Sequence, residues 1–203
     1  MTPVTVPGRP RVSRAVPVAA VAAKLVLFAL LVAAVFWPDL SGLKGKASGA
    51  RLVVYPLGAM VLPAYWYLRY RGRRAFPWLA DLLVTLPWLI DLLGNRLNLF
   101  DTVSWWDDLM HFALWALLTA GVLLAFTAGT TSRGLTVMVA LGFGTTAAVI
   151  WELGEYVTFV RHSAELQTAY TDTLGDLALG TLGALLAGLV VGQVRRSVTI
   201  PRP

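Results

Sequence analysis

The chain has 203 residues, 57% of them hydrophobic and 14% charged, with a mean hydropathy of +0.68. A soluble domain of this length cannot hide so much apolar surface, so the composition points to a bilayer as solvent. There are no cysteines, which excludes disulfides, thiolate metal sites and cysteine nucleophiles. The net charge of +6 sits in short basic clusters between apolar runs, a topology pattern that predicts no nucleic-acid partner.

Residues 1–14 (MTPVTVPGRPRVSR) are rich in Pro and Arg and read as a cytoplasmic tail. Six apolar stretches follow, at about 16–37, 52–68, 75–93, 108–129, 135–160 and 173–194, and 195–203 form a second cytoplasmic tail. Each stretch can cross a hydrocarbon core of roughly 30 Å as a helix. The first is too long for a signal-peptide core and is expected to be retained. Pro56 and Pro63 interrupt the second stretch, and Pro77 and Pro87 the third. Within membranes such prolines bend a helix more often than they end it. The expectation is an all-α, polytopic integral membrane protein whose six transmembrane helices form one domain over 15–194.

Orientation follows from the basic residues. Arg9, Arg11, Arg14, Arg69, Arg71, Arg73, Arg74, Arg133, Arg195, Arg196 and Arg202 fall on one side of this layout; Lys44, Lys46, Arg51, Arg96 and Arg161 fall on the other. The richer side is expected to be cytoplasmic, which places both termini there. The acids then lie almost entirely toward the outside: Asp39, Asp91, Asp101, Asp107, Asp108, Glu152, Glu155, Glu165, Asp172 and Asp176, with Asp81 alone toward the cytoplasm.

Three of these helices each carry a pair of metal- or proton-competent groups at similar depth. In WWDDLMHF, His111 is three residues from Asp108 and four from Asp107; Glu152 and Glu155 are three apart; Asp172 and Asp176 are four apart. Groups so spaced share a helix face. Isolated carboxylates at that depth cost several kcal/mol each unless paired, protonated or wetted. Three states satisfy that constraint. One is a divalent cation, with Asp107, Asp108, His111, Glu152, Glu155, Asp172 and Asp176 as the ligand pool; hard oxygen donors and one imidazole suit Mg, Mn, Ca or Fe better than Zn. The second is a set of protonated acids forming a proton relay, and the third a neutral polar knot that fixes helix register.

His111 and Glu155 are the candidate catalytic groups, placed to move protons. Arg96 and Arg161 are outer cations near the acids and candidate contacts for a lipid phosphate or an acidic substrate group; solvated loop residues are the plainer reading. Lys24 and Asp81, each about 10 Å inside the cytoplasmic end by residue count, are expected to form a structural ion pair, unless Lys24 snorkels to the interface. Gly180, Ala184, Gly188 and Gly192 place a small residue every four positions, a seam for a neighbouring helix or a homodimer, with Gly142 and Gly144 as its complement. No P-loop, dinucleotide fingerprint or nucleophile elbow is present.

Asp107/Asp108-x-x-His111-Phe112, Trp151-Glu152-x-x-Glu155 and Tyr170-x-Asp172-Thr173-x-x-Asp176, followed by the Gly/Ala-rich helix, resemble YjdF-type bacterial inner-membrane proteins, a family of unknown function. More distantly they resemble the VanZ-like family. The likeness covers roughly residues 70–195 and implies a multi-pass protein of the bacterial cytoplasmic membrane. Leu174 stands where YjdF-type proteins tend to carry glutamine, and Glu155 where VanZ-like proteins tend to show glutamine. Three functions remain open: a metal-assisted enzyme acting on a lipid or envelope substrate, a proton- or cation-coupled transporter, and a VanZ-like accessory protein of the envelope or of antibiotic resistance.

Overall fold

The computed structural model describes residues 14–37, 48–127 and 131–199. Most of the first tail, the last residues of the second, and Asp39, Lys44 and Lys46 lie outside the described residues. Among those described, every regular element is helical: α1 (Ala15–Phe36), α2 (Ser48–Tyr70), α3 (Trp78–Arg96), the single turn α4 (Leu99–Thr102), α5 (Trp106–Phe126), α6 (Arg133–Thr158) and α7 (Ala169–Thr199). Two 3₁₀ turns, Val160–His162 and Ala164–Gln167, link α6 to α7.

The helix ends have local causes. Pro77 immediately precedes α3 and starts that helix instead of bending it, because its missing N–H is one the first turn leaves unpaired anyway. Pro56, Pro63 and Pro87 do lie inside helices. Arg71 and Gly72, both at positive φ (44° and 80°), turn the chain after α2, and Asn98 in the left-handed region (φ 57°) does so after α3. Ser132 caps α6, its hydroxyl accepting from the Leu135 N–H at 3.3 Å. α7 continues four turns of small and apolar residues through Arg195 and Arg196 as far as Thr199, so the start of the expected C-terminal tail is helical.

Among the described residues, five helices are long and apolar enough to cross a membrane: α1, α3, α5, α6 and α7. α2 matches them in length but its prolines, Tyr and Trp dilute its apolar content. α3 is the most enclosed of the five, with 56% of its most apolar window buried, against 22% for α1, α5 and α6. The outer helices therefore present rows of large apolar side chains, such as Val18, Leu25 and Val32 on α1 or Met138 and Ile150 on α6, to their surroundings. That is the arrangement expected of helices facing lipid tails.

α7 packs along both α5 and α6, while α3 joins α5 on one side and α1 and α2 on the other. The small-residue seam of α7 is used inside the chain. Ala184 meets Gly144; a Cβ on Gly188 would lie 2.8 Å from the Ala140 Cβ, and one on Gly180 2.8 Å from the Trp115 ring. Gly192 faces Arg133. α6 and α5 thus already cover the face that the sequence offered to a second copy. Gly144 is the complement; Gly142 points into open space. Around α3, a second core joins Leu27, Leu31, Tyr55, Ala59, Leu89 and Leu92 from α1, α2 and α3. Lys24 Nζ reaches Asp81 Oδ2 at 2.7 Å and also donates to Thr85 Oγ1 at 2.7 Å, tying α1 to α3.

Candidate metal centre

The N-terminal turns of α5 and α7, the last turns of α3 and α6 and the first turns of α2 come together at one end of the bundle. They enclose a cavity of about 310 Å³. Close helix contact brings the acids there. Gly183 of α7 lies directly on the backbone of α5 at Phe112 and Ala116, so Asp176, two turns earlier on α7, comes opposite His111 on α5.

His111 stands at the centre of the charged wall. Its Nε2 is 3.6 Å from Asp107 Oδ1, one turn back on the same helix, and 3.6 Å from Asp176 Oδ1. Its Nδ1 is 3.7 Å from Glu152 Oε1 on α6. Side chains of His111, Glu152 and Asp176 are only 11%, 9% and 6% exposed. The separations exceed hydrogen-bond length. On the Nε2 side they suit donors around a shared cation, since neighbouring ligands at metal distances of about 2.0–2.4 Å stand about 3–4 Å apart. Two sets have ligand atoms mutually within 4.8 Å: Asp107, His111 and Asp176, and His111, Glu152 and Glu155. Thr173 Oγ1 donates to Glu152 Oε2 at 3.3 Å and holds that carboxylate from α7.

A second network adjoins the first. Arg51 Nε donates to the Tyr55 hydroxyl at 2.8 Å, and that hydroxyl donates to Asp91 Oδ2. The guanidinium also lies 3.6 Å from Asp91 Oδ2 and, through Nη2, 3.6 Å from Glu155 Oε1. Asn95 Nδ2 donates to the Asp91 carbonyl at 2.9 Å and to its carboxylate at 3.3 Å. Below it, Tyr55 packs against Trp88 and Trp151, with ring centroids 5.4 and 6.5 Å away. Glu155 therefore stands between Arg51 on one side and His111 on the other.

Of the ligand pool named from the sequence, Asp107, His111, Glu152, Glu155, Asp172 and Asp176 all line the cavity, Asp172 from an exposed position. Asp108 is exposed and is not part of the lining. Consecutive residues on a helix point about 100° apart, so only one of the neighbouring aspartates can face inward. Arg96 and Arg161 are likewise exposed and off the lining, and Arg161 Nε donates to His162 Nε2 at 2.9 Å. Sequence reasoning took Arg51 and Asp91 only as charges of the outer side and passed over Tyr55 and Asn95. Their signal was the four-residue spacing of Arg51 with Tyr55 and of Asp91 with Asn95, each putting two polar groups on one face.

No curated protein and no solved structure matches the chain. A family model described as "Predicted membrane protein (DUF2238)" matches residues 20–197. With nearly its whole length covered, and five helices fit to cross a membrane, the chain belongs to the DUF2238 family of membrane proteins.

Proposed function

We propose that this protein crosses the bacterial cytoplasmic membrane six times, α2 included, and binds a divalent cation in the acidic cavity for use on a lipid or other envelope substrate. The cytoplasmic excess of arginine supports placing both termini inside and the cavity toward the outer leaflet. Most residues of the YjdF-type motifs line the cavity, Asp108, Phe112 and Tyr170 excepted, and accord with that setting; the VanZ likeness adds an envelope role only by analogy.

One observation carries the reading: a single buried imidazole stands 3.6–3.7 Å from three carboxylates contributed by three helices. Asp107, Asp176 and His111 Nε2 are the primary ligand set. Glu152, on the far side of the ring, would accept the Nδ1 proton and so fix the tautomer that leaves Nε2 as a ligand. Glu155, beside the set and 22% exposed, is the proton-accepting group. A hard cation held there would polarise a phosphoryl oxygen or activate a water. The oxygen-rich donor set favours Mg, Mn, Ca or Fe over Zn.

Elemental analysis of detergent-purified protein after loading with Mn²⁺ or Mg²⁺ tests this directly. Wild type should hold near-stoichiometric metal, and His111→Ala and Asp176→Asn should lose it while still unfolding cooperatively. A wild-type protein that takes up no divalent metal would end the reading. Because the chain has no cysteine, single substitutions Gly72→Cys and Ser163→Cys test the topology: only the second should label from outside intact cells.

A further inference from the structure

We infer that the cavity takes a phosphate group, held between the cation and the guanidinium of Arg51, and that the natural ligand is a phosphate-bearing lipid headgroup. This rests on the cation reading above and extends it to the class of substrate.

Arg51 is the one Lys or Arg among the described residues that line the cavity. Its side chain is 9% exposed, a costly place for a charge with no purpose there. The Tyr55 hydroxyl holds Nε from below and is itself held by Asp91. The guanidinium is thereby aimed, with Nη2 directed toward Glu155. Glu155 in turn belongs to the close set with His111 and Glu152. The guanidinium thus adjoins the His111 group through Glu155, and Arg51 and the proposed ligands line one and the same cavity. A planar fork of donors is the side chain best matched to two phosphate oxygens. Long apolar flanks around the cavity, including Leu114, Trp115 and Leu118 on its lining, suit the acyl portion of a lipid.

The cavity's own charge imposes an order. Among the described residues eight carboxylates line it against one guanidinium, a surplus that disfavours a phosphate until a cation has entered. Cation and phosphate should each strengthen the other's binding by the same factor. A purely structural role for Arg51, stapling α2 to α3 and α6, predicts no loss of phosphate affinity in a folded Arg51 variant that keeps its metal.

Calorimetric titration of the full-length protein in detergent tests the inference, with metal content measured on the same samples. One arm uses inorganic phosphate; the other uses short-chain phosphatidic acid beside diacylglycerol of the same chains. The Mn²⁺-loaded wild type should bind phosphatidic acid at least tenfold more tightly than the metal-free protein and should ignore diacylglycerol. Tighter binding of phosphatidic acid than of phosphate supports the lipid source; equal binding keeps the oxyanion site and overturns the lipid assignment. Arg51→Gln should keep its metal and lose at least tenfold in phosphate affinity, with Arg51→Lys in between. If Arg51→Gln does not fold, Arg51→Lys and Tyr55→Phe carry the comparison. Metal-loaded wild type that binds neither phosphate ligand, or Arg51 variants that bind as wild type does, overturns the inference and leaves the cation reading intact. Absence of metal in wild type defeats the cation reading itself.

Discussion

Two groups of buried charge sit at opposite ends of this bundle, and they are built differently. Near the start of α3, Lys24 and Asp81 are matched one to one, touch at 2.7 Å and share Thr85 as a further partner. At the other end, His111 faces Asp107, Asp176 and Glu152 at 3.6–3.7 Å, and acids outnumber bases. The first is matched in charge within the protein, although Asp81 Oδ1 is buried without a hydrogen-bond partner. The second gathers, among the described residues, more acids than the bases that line the same cavity, a surplus that a positive guest or protons would offset. Short contact and matched charge mark architecture; spacing and surplus mark a candidate site.

The largest expected effect separates the two. Lys24→Met leaves Asp81, 2% exposed, with no counter-charge, and should destabilise the protein by about 3–5 kcal/mol. Thermal or denaturant unfolding in detergent measures it, and the double variant Lys24→Met/Asp81→Leu should recover most of the loss, since a buried ion pair is often replaceable by apolar groups. Metal content should not move in either. Loss of metal in the Lys24 variant would erase the distinction between the two ends.

At the acidic end the sign reverses. Without metal, Asp176→Asn should leave stability unchanged or raise it, because one of several neighbouring negative charges is gone. With Mn²⁺ at a hundredfold excess over its dissociation constant, wild type should gain about 2.7 kcal/mol, and Asp176→Asn should gain far less. Equal stabilisation of both proteins by metal would show that the cation binds elsewhere. Next in size is Glu152→Gln, which removes the carboxylate facing Nδ1 but no primary ligand. It should keep the stoichiometry and weaken affinity by about 10–100-fold, the usual effect of a partner that orients a ligating histidine.

How far the sequence disclosed this contrast differs by residue. Apolar run length was enough to locate the helices within a few residues, and the spacing of small residues marked the face of α7 that its neighbours approach. It did not say which neighbour: Gly142 and Gly144 are equivalent by composition, and only helix phase turns Gly144 toward Ala184. Arg51 was hidden for a related reason. It precedes the first apolar residue of its stretch and so reads as a loop charge, whereas α2 begins at Ser48 and carries it a turn inside the helix. Arg96 and Arg161 seemed closer to the acids because they are closer along the chain, but adjacency in sequence does not bring an exposed side chain over a cavity. The metal-competent pairs were visible because each lies within one helix; the distances between helices, on which any ligand set depends, are a property of packing alone.

The smallest expected effect is also the most specific. Asp107 and Asp108 are neighbours of identical chemistry, and each has the right spacing to reach His111 from one helix face. The structure turns Asp107 toward the ring, 3.6 Å from Nε2, and leaves Asp108 exposed and off the cavity. Asp107→Asn should therefore lower cation affinity, while Asp108→Asn should change neither metal content nor, by more than about 0.5 kcal/mol, stability. Metal titration of the two variants side by side decides it. A general electrostatic attraction of cations to an acidic surface would weaken equally in both, since each loses one negative charge at nearly the same place. Only coordination in a defined geometry distinguishes them, so an equal response from the two aspartates would reduce the cavity to a patch of negative potential.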